Sequence, residues 1–189
     1  MIEKSLIILK ADVIARGIVG EITTRFERAG LKIVAMKMLE VPLEQAAKHY
    51  EKDDEWLMSV GKKLIKNQGL DPEKESPKDH GQRICDSLAH DLTIYPVIAM
   101  VLEGHSVIKL IRKMLGEQSP ENSMPGTIRG DYSQDTYVLA NASNRPVITL
   151  VHASDSVETA EKEIKLWFND NEVLSWKKPD EIVHFRRRD

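Results

Sequence analysis

One cysteine, Cys85, stands in 189 residues. No internal disulfide can form, which fits a reducing compartment. No long apolar run is present: "LIIL" at 6–9 is far too short for a signal-peptide core or a membrane span. A cytoplasmic protein without a membrane partner is the expectation. Excess positive charge is also missing, with 27 Lys and Arg against 30 Asp and Glu and a net charge of −3. The terminal "FRRRD" is locally basic, but aromatic–basic interleaving is absent, so nucleic acid is not an expected partner. Neither G-x-x-x-x-G-K-[ST] nor G-x-G-x-x-G occurs, so any phosphate site must be built from side chains. The six histidines show no zinc-like spacing with cysteines or carboxylates, and no metal held by protein side chains is expected.

The apolar residues that are present fall into short periodic segments. "SLIILK" (5–10), "LKIVAMKMLEV" (31–41), "PVIAMVLEG" (96–104) and "VITLVH" (147–152) read as strands, the second buried on both faces. "GIVGEITTRFERAG" (17–30) places Ile18, Ile22, Phe26 and Ala29 on one helical face and ends on Gly30. "PLEQAAKHYEK" (42–52) opens with Pro42 at a helix start. "SVIKLIRKMLG" (106–116) turns Val107, Leu110, Ile111 and Met114 to one side, and "SVETAEKEIKLWF" (156–168) turns Ala160, Ile164, Trp167 and Phe168 inward. Two split βαβ halves predict an α+β, ferredoxin-like fold: a four-stranded antiparallel sheet with helices on one face. The whole chain, 1–189, reads as one domain with a helical insertion at 53–95 and an extension at 169–189. Residues 117–146 read mostly as loop, and a loop that long is usually functional or disordered.

His152 ends the last strand, just before a helix that Asp155 or Ser156 can cap. Alone it reads as a hydrogen-bonded strand-end residue or as a nucleophile. Glu163 lies two turns into the helix, as a solvated charge or as a carboxylate reaching back to the ring. In the second case it fixes the tautomer and leaves the other nitrogen free to attack. Imidazole titrates at roughly 6.5 when unperturbed, so it needs no separate base. Lys10, Arg112 and Arg129 sit at loop or element ends, the last between Gly126 and Gly130, and could together hold phosphate.

"LIILKADVIARGIVGEITTRFERAGLKIVAMKML", "HY" at 49–50, "VIAMVLEG", "RKMLGEQSPENSMPGTIRGDY" and "LVHASDSVETAEKEIKLWF" resemble the nucleoside diphosphate kinase family. "PGTIRGD" followed by "HASDS" is the specific combination. The resemblance implies transfer of the terminal phosphate of a nucleoside triphosphate to a nucleoside diphosphate through a pros-phosphohistidine at His152. It implies Lys10, Arg112 and Arg129 as phosphate-binding cations, Tyr50 beside the histidine, and Glu163 and Ser154 as its support. It implies Mg²⁺ carried by the nucleotide and a homo-oligomer, hexameric or tetrameric. Three positions depart from the family. Lys10-Ala11-Asp12 stands for Lys-Pro-Asp, which should loosen the strand end. Gln118 stands for a threonine and Thr149 for an asparagine; both can still hydrogen-bond a nucleotide. Trp56 is the nearest aromatic for stacking on the base, although its spacing with Leu57 and Val60 also suits a core residue. These departures keep an alternative open: a nucleotide-binding or scaffold protein that has lost turnover. The insertion could form its own domain, a lid, or a contact with a neighbouring subunit, and the extension could wrap a neighbour.

Overall fold

The computed structural model describes residues 2–143 and 145–179; the basic "FRRRD" lies outside them. The chain runs β1 (Ile2–Leu9), α1 (Ala11–Ala15), α2 (Val19–Arg28), β2 (Lys32–Leu39), α3 (Leu43–His49), α4 (Asp54–Gln68), α5 (Pro77–Thr93), β3 (Val97–His105), α6 (Val107–Leu115), α7 (Ile128–Tyr132), α8 (Tyr137–Ala142), β4 (Val151–Ala153) and α9 (Val157–Trp167). The strands form one antiparallel sheet in the order β2-β3-β1-β4.

Side chains alternate across a strand, so neighbouring residues of β1 enter different layers. Ile7 and Leu9 join Met100 and Leu102 against Ile22, Phe26, Val107 and Ile111. Leu6 and Ile8 join Ala99 and Val101 against Ala46, Ala89, Leu92 and Trp167. The crossover helices of the two βαβ halves, α2 and α6, thus share one face, as expected. A second layer comes from α3, α5 and the end of α9, so the sheet is covered on both faces. A large core side chain such as Phe26 contributes about 1.5–3 kcal/mol by leaving water.

Several elements differ from the sequence expectation. Ala29 is exposed, because the helix ends one residue earlier. β2 is an edge strand, and Met36 and Met38 are 46% and 59% exposed rather than buried. Its other edge is partly covered by the chain's own extension: Leu174 N–H donates to Val34 O at 2.8 Å, and Lys37 pairs with Glu172 at 2.7 Å. α1, α7 and α8 were not expected; at five or six residues each they are too short to leave a helical period. Their starts are local: Thr127 and Thr136 accept backbone N–H groups at the first turns of α7 and α8. β4 begins at Val151, not Val147.

The insertion is an antiparallel hairpin of α4 and α5, capped by Asp53 and Ser76. A Cβ at Gly61 would overlap the Pro77 carbonyl, so glycine sets the close approach there. Through Ala89 and Leu92 the hairpin shares the core on the sheet's second face.

An ion pair between buried Asp135 and half-buried Arg145 braces the segment leading to β4. Asp135 accepts both terminal nitrogens of Arg145, at 2.6 and 2.9 Å, and the Ile148 N–H at 2.7 Å. The Arg145 bonds hold the Asp135 carboxyl down to about 2 from its ordinary 3.8. A depressed carboxylate stabilises the fold above its unfolded value and loses that contribution as pH falls through its folded value. Urea unfolding should therefore show Asp135→Asn about 1–2 kcal/mol less stable than wild type at neutral pH, the gap closing between about pH 4 and pH 2.

Candidate active site

β4 pairs with β1 through three residues, placing His152 opposite Ile8. Val151 and Ala153 point to the first core layer. Alternation therefore sends His152 to the second face, among α3 and α9. The chain enters this strand through an unusual turn. Leu150 is buried with φ +63°, and Val151 N–H bonds Thr149 O at 2.6 Å, a three-residue γ-turn. Such backbone persists only where its surroundings over-determine it. Here Lys10 N–H holds the Leu150 carbonyl at 2.9 Å, and the side chain is enclosed by the core.

Around His152 the donors and acceptors form a chain. Ser154 is fixed to β1, its N–H on Leu6 O at 3.2 Å and its Oγ accepting Leu6 N–H at 3.0 Å. Its hydroxyl donates to Glu163 Oε2 at 2.6 Å. Glu163 Oε1 lies 2.9 Å from His152 Nε2. A carboxylate can only accept, so Nε2 carries the proton and the Nδ1 lone pair is left free. Glu163 is buried, as its place on the inner face of α9 requires.

A residue the sequence reading passed over completes this cluster. His49, the last residue of α3, is buried and meets the His152 ring edge-on at 4.4 Å between centroids. Its Nδ1 accepts the Trp167 indole N–H at 3.2 Å. Burial, then the charges of His152, Lys10 and Lys52, hold its pKa well below the ordinary histidine value. Its 3.9 Å approach to Glu163 is thus not an ion pair. Tyr50 meets the His49 ring edge-on at 4.8 Å between centroids. Burial, with Asp91 and Glu163 nearby, raises its phenol, which stays a neutral donor.

The cations gather on the γ-turn. Lys10 Nζ donates to Thr149 Oγ1 at 3.2 Å. Burial lowers its pKa against the opposing pull of Asp12 and Asp91. Arg129 is more of a girder than the sequence suggested. Nε donates to Thr149 O, one terminal nitrogen to Gly116 O and Glu117 O, and the other to Val151 O, at 3.0–3.2 Å. Four of its five N–H groups are thereby committed. Burial and the charge of Arg112 bring its pKa down to about 10. Gly116, at φ +85°, faces Thr127 Oγ1, where a Cβ would come within 2.6 Å. Arg112 and Gln118 are exposed, and the Arg112 charge is felt at both Arg129 and Asp155. Trp56 is half-buried at the start of α4, with Lys52 Nζ 6.0 Å from its ring. The Lys52 charge reaches His49 and Asp155. Ala11 opens α1 at its first position, a place that suits proline or alanine.

Among the described residues His49, His152 and Glu163 have ligand atoms within 4.8 Å of one another. The atoms facing each other there already hold the Trp167 and Glu163 bonds, so the cluster is a hydrogen-bonded unit. The rim with Lys10, Arg112 and Arg129 is cationic and suits phosphate oxygens.

The family model described as nucleoside diphosphate kinase matches residues 3–58 and 74–173. The nucleoside diphosphate kinase of Pyrobaculum aerophilum is 47% identical over 180 residues, 92% of this chain and 98% of that protein. That of Borreliella burgdorferi is 35% identical over 185 residues, 98% of each. Among solved structures, an NDP kinase from Pyrobaculum aerophilum superimposes with a TM-score of 0.86 at 44% identity, covering 93% of this chain and 100% of that one. A transition-state mimic of the Borrelia burgdorferi nucleoside-diphosphate kinase with bound vanadate and ADP gives 0.80 at 34% identity, covering 97% of each.

Proposed function

The chain belongs to the nucleoside diphosphate kinase family, and on that premise we propose that His152 Nδ1 carries the phosphoryl group between nucleotides. The protein is a phosphotransferase that moves the terminal phosphate of a nucleoside triphosphate to a nucleoside diphosphate. In the first half-reaction Nδ1 attacks the γ-phosphorus, the bond to the β–γ bridging oxygen breaks, and the nucleoside diphosphate leaves. The second half-reaction returns the group to another diphosphate. Glu163 stabilises the N–H at Nε2 as the ring gains positive character, and Ser154 holds Glu163. Lys10, Arg112 and the remaining Arg129 N–H meet the phosphate oxygens, where phosphoryl transfer needs charge neutralisation and in-line positioning. Tyr50 supports the wall behind His49. Gln118 and Thr149 bond the nucleotide, and Trp56 stacks on the base.

The observation that carries this reading is the Ser154–Glu163–His152 chain, which leaves one ring nitrogen free on a strand whose entry Lys10 and Arg129 hold at Thr149 and Val151. The vanadate and ADP bound by the Borrelia burgdorferi relative support it. Mg²⁺ is the proposed cofactor: the cationic wall does not fit a divalent ion by itself, so the nucleotide phosphates would hold it. When bound it spreads charge over the phosphate oxygens. A homo-oligomer, hexameric or tetrameric, completes the proposal, supported by the exposed Met36 and Met38 on edge strand β2. The compartment proposed is the cytoplasm, supported by the free, buried Cys85. Among the described residues no helix is long and apolar enough to cross a membrane.

Initial rates with ATP and dTDP, each varied at several levels of the other, test the reaction. Ping-pong transfer gives parallel double-reciprocal lines; intersecting lines mean that both nucleotides must be bound at once, and sink the phosphohistidine course.

A further inference from the structure

Glu163 Oε1 stands between two imidazoles, at 2.9 Å from His152 Nε2 and 3.9 Å from His49 Nδ1. If His49 carried a proton on Nδ1, that nitrogen would compete with His152 for the same oxygen. Its place as an acceptor is set from behind. The indole N–H of Trp167 is a donor only, and it meets His49 Nδ1 at 3.2 Å. Nδ1 must therefore hold a lone pair, and the proton of neutral His49 sits on Nε2. That nitrogen is buried and has no hydrogen-bond partner among the described residues. An unpaired buried donor is costly, so a tautomer that leaves one needs a reason.

We propose that Trp167 and His49 are positioning residues that reserve Glu163 for His152: the indole locks His49 into the tautomer that cannot donate to Glu163, and the His49 ring backs the His152 ring edge-on. The inference rests on His152 being the nucleophile. Neither residue touches the phosphate; both act through the orientation and tautomer of His152. The low proton affinity of His49 acts in the same direction, since an imidazolium there would pull Glu163 away. The two partners lie 118 residues apart in sequence and meet because α3 and α9 pack on the same face of the sheet.

The test uses the full-length protein and three variants. In His49→Asn the amide oxygen takes the place of Nδ1 and still accepts the indole N–H. His49→Phe keeps an aromatic ring but removes the acceptor. Trp167→Phe removes the donor and, because the indole is buried in the core, part of a packed ring. The single-turnover rate of His152 phosphorylation by ATP, the affinity for ADP by calorimetry, and the imidazole ¹⁵N shifts of His152 are measured for each. We expect Trp167→Phe, which frees His49 Nδ1 to carry a proton toward Glu163, to slow phosphorylation by about 10- to 100-fold, a range typical of outer-shell partners. ADP affinity should stay within about twofold, with the His152 nitrogens moving toward a mixed tautomer. His49→Phe and His49→Asn carry no imidazole proton that could compete for Glu163, so both keep wild-type His152 shifts and stay within about threefold of the wild-type rate. Should His49→Phe fail to fold, the other two decide: a wild-type rate and wild-type ¹⁵N shifts in Trp167→Phe overturn the proposal. It is equally overturned if rate and ADP affinity fall together while the His152 spectrum is unchanged, or if His49→Phe shifts the His152 nitrogens as far as Trp167→Phe does. A phosphoryl label found on a residue other than His152 in wild type would instead remove the premise.

Discussion

His152→Ala takes up no label from γ-phosphate-labelled ATP, and its nucleotide exchange rate falls by at least about 10⁴-fold, on the order of 5 kcal/mol of barrier. The wild-type label is acid-labile and base-stable, as a phosphoramidate should be. The size of the loss follows from what remains. Lys10, Arg112 and Arg129 still bind a triphosphate, so ADP affinity should change little. No other nitrogen at the site replaces the nucleophile, because His49 Nδ1 is committed to Trp167 and the ring is buried. Glu163 and Ser154 keep their mutual bond at 2.6 Å, so the fold should not suffer. This outcome separates an active transferase from a scaffold of the same shape, which would bind nucleotide and show the same rate with and without His152. An acid-stable label, or unchanged exchange in the variant, would contradict a phosphohistidine.

The parts of this site that were legible in the sequence are those that local chemistry writes locally. β1, β3 and α6 follow from short apolar runs with the right period. Ser156 caps α9 with its Oγ on Thr159 N–H at 3.0 Å, one of the two caps the sequence offered. Glu163 one helix after His152 was readable as spacing, although only the packing of α9 on β1 brings it to 2.9 Å. What was not legible depends on tertiary neighbours. β4 loses its first half because Leu150 turns at φ +63°, which an apolar side chain does not announce. The outer half of β2 looked buried because Met36 and Met38 are apolar, but burial of an edge strand depends on what lies beside it. His49 looked like one half of the "HY" pair. Its function comes from Trp167, far along the chain, and no local pattern marks that contact.

Arg129 was read from the sequence as one of three phosphate cations, and the structure makes it unlike the other two. Its guanidinium ties the carbonyls of Gly116 and Glu117 to those of Thr149 and Val151. Arg129→Lys should therefore fail twice. An ammonium keeps the charge but cannot span four carbonyls set around a planar fork. Loss of the brace frees the γ-turn that presents His152, so kcat should drop by about 10²–10³-fold, as for loss of a preorganised donor. Carbonyls left short of partners cost about 1–3 kcal/mol each where buried; three of these bonds are part-buried and the one to Glu117 is exposed, so the total stays at the low end. At about 2–4 °C per kcal/mol for a chain of this size, the melting midpoint should fall by roughly 5–10 °C. Arg112→Ala is the contrast. Arg112 is exposed on α6, so its loss should raise KM for ATP about tenfold, the worth of one charge-assisted bond, and leave the midpoint unchanged. Calorimetric melting beside steady-state kinetics checks both. If Arg129→Lys melted with wild type and changed only KM, the girder role would be wrong and Arg129 would be a phosphate ligand alone. If it melted early yet phosphorylated His152 at the wild-type rate, the γ-turn would not need the brace to hold the nucleophile in line.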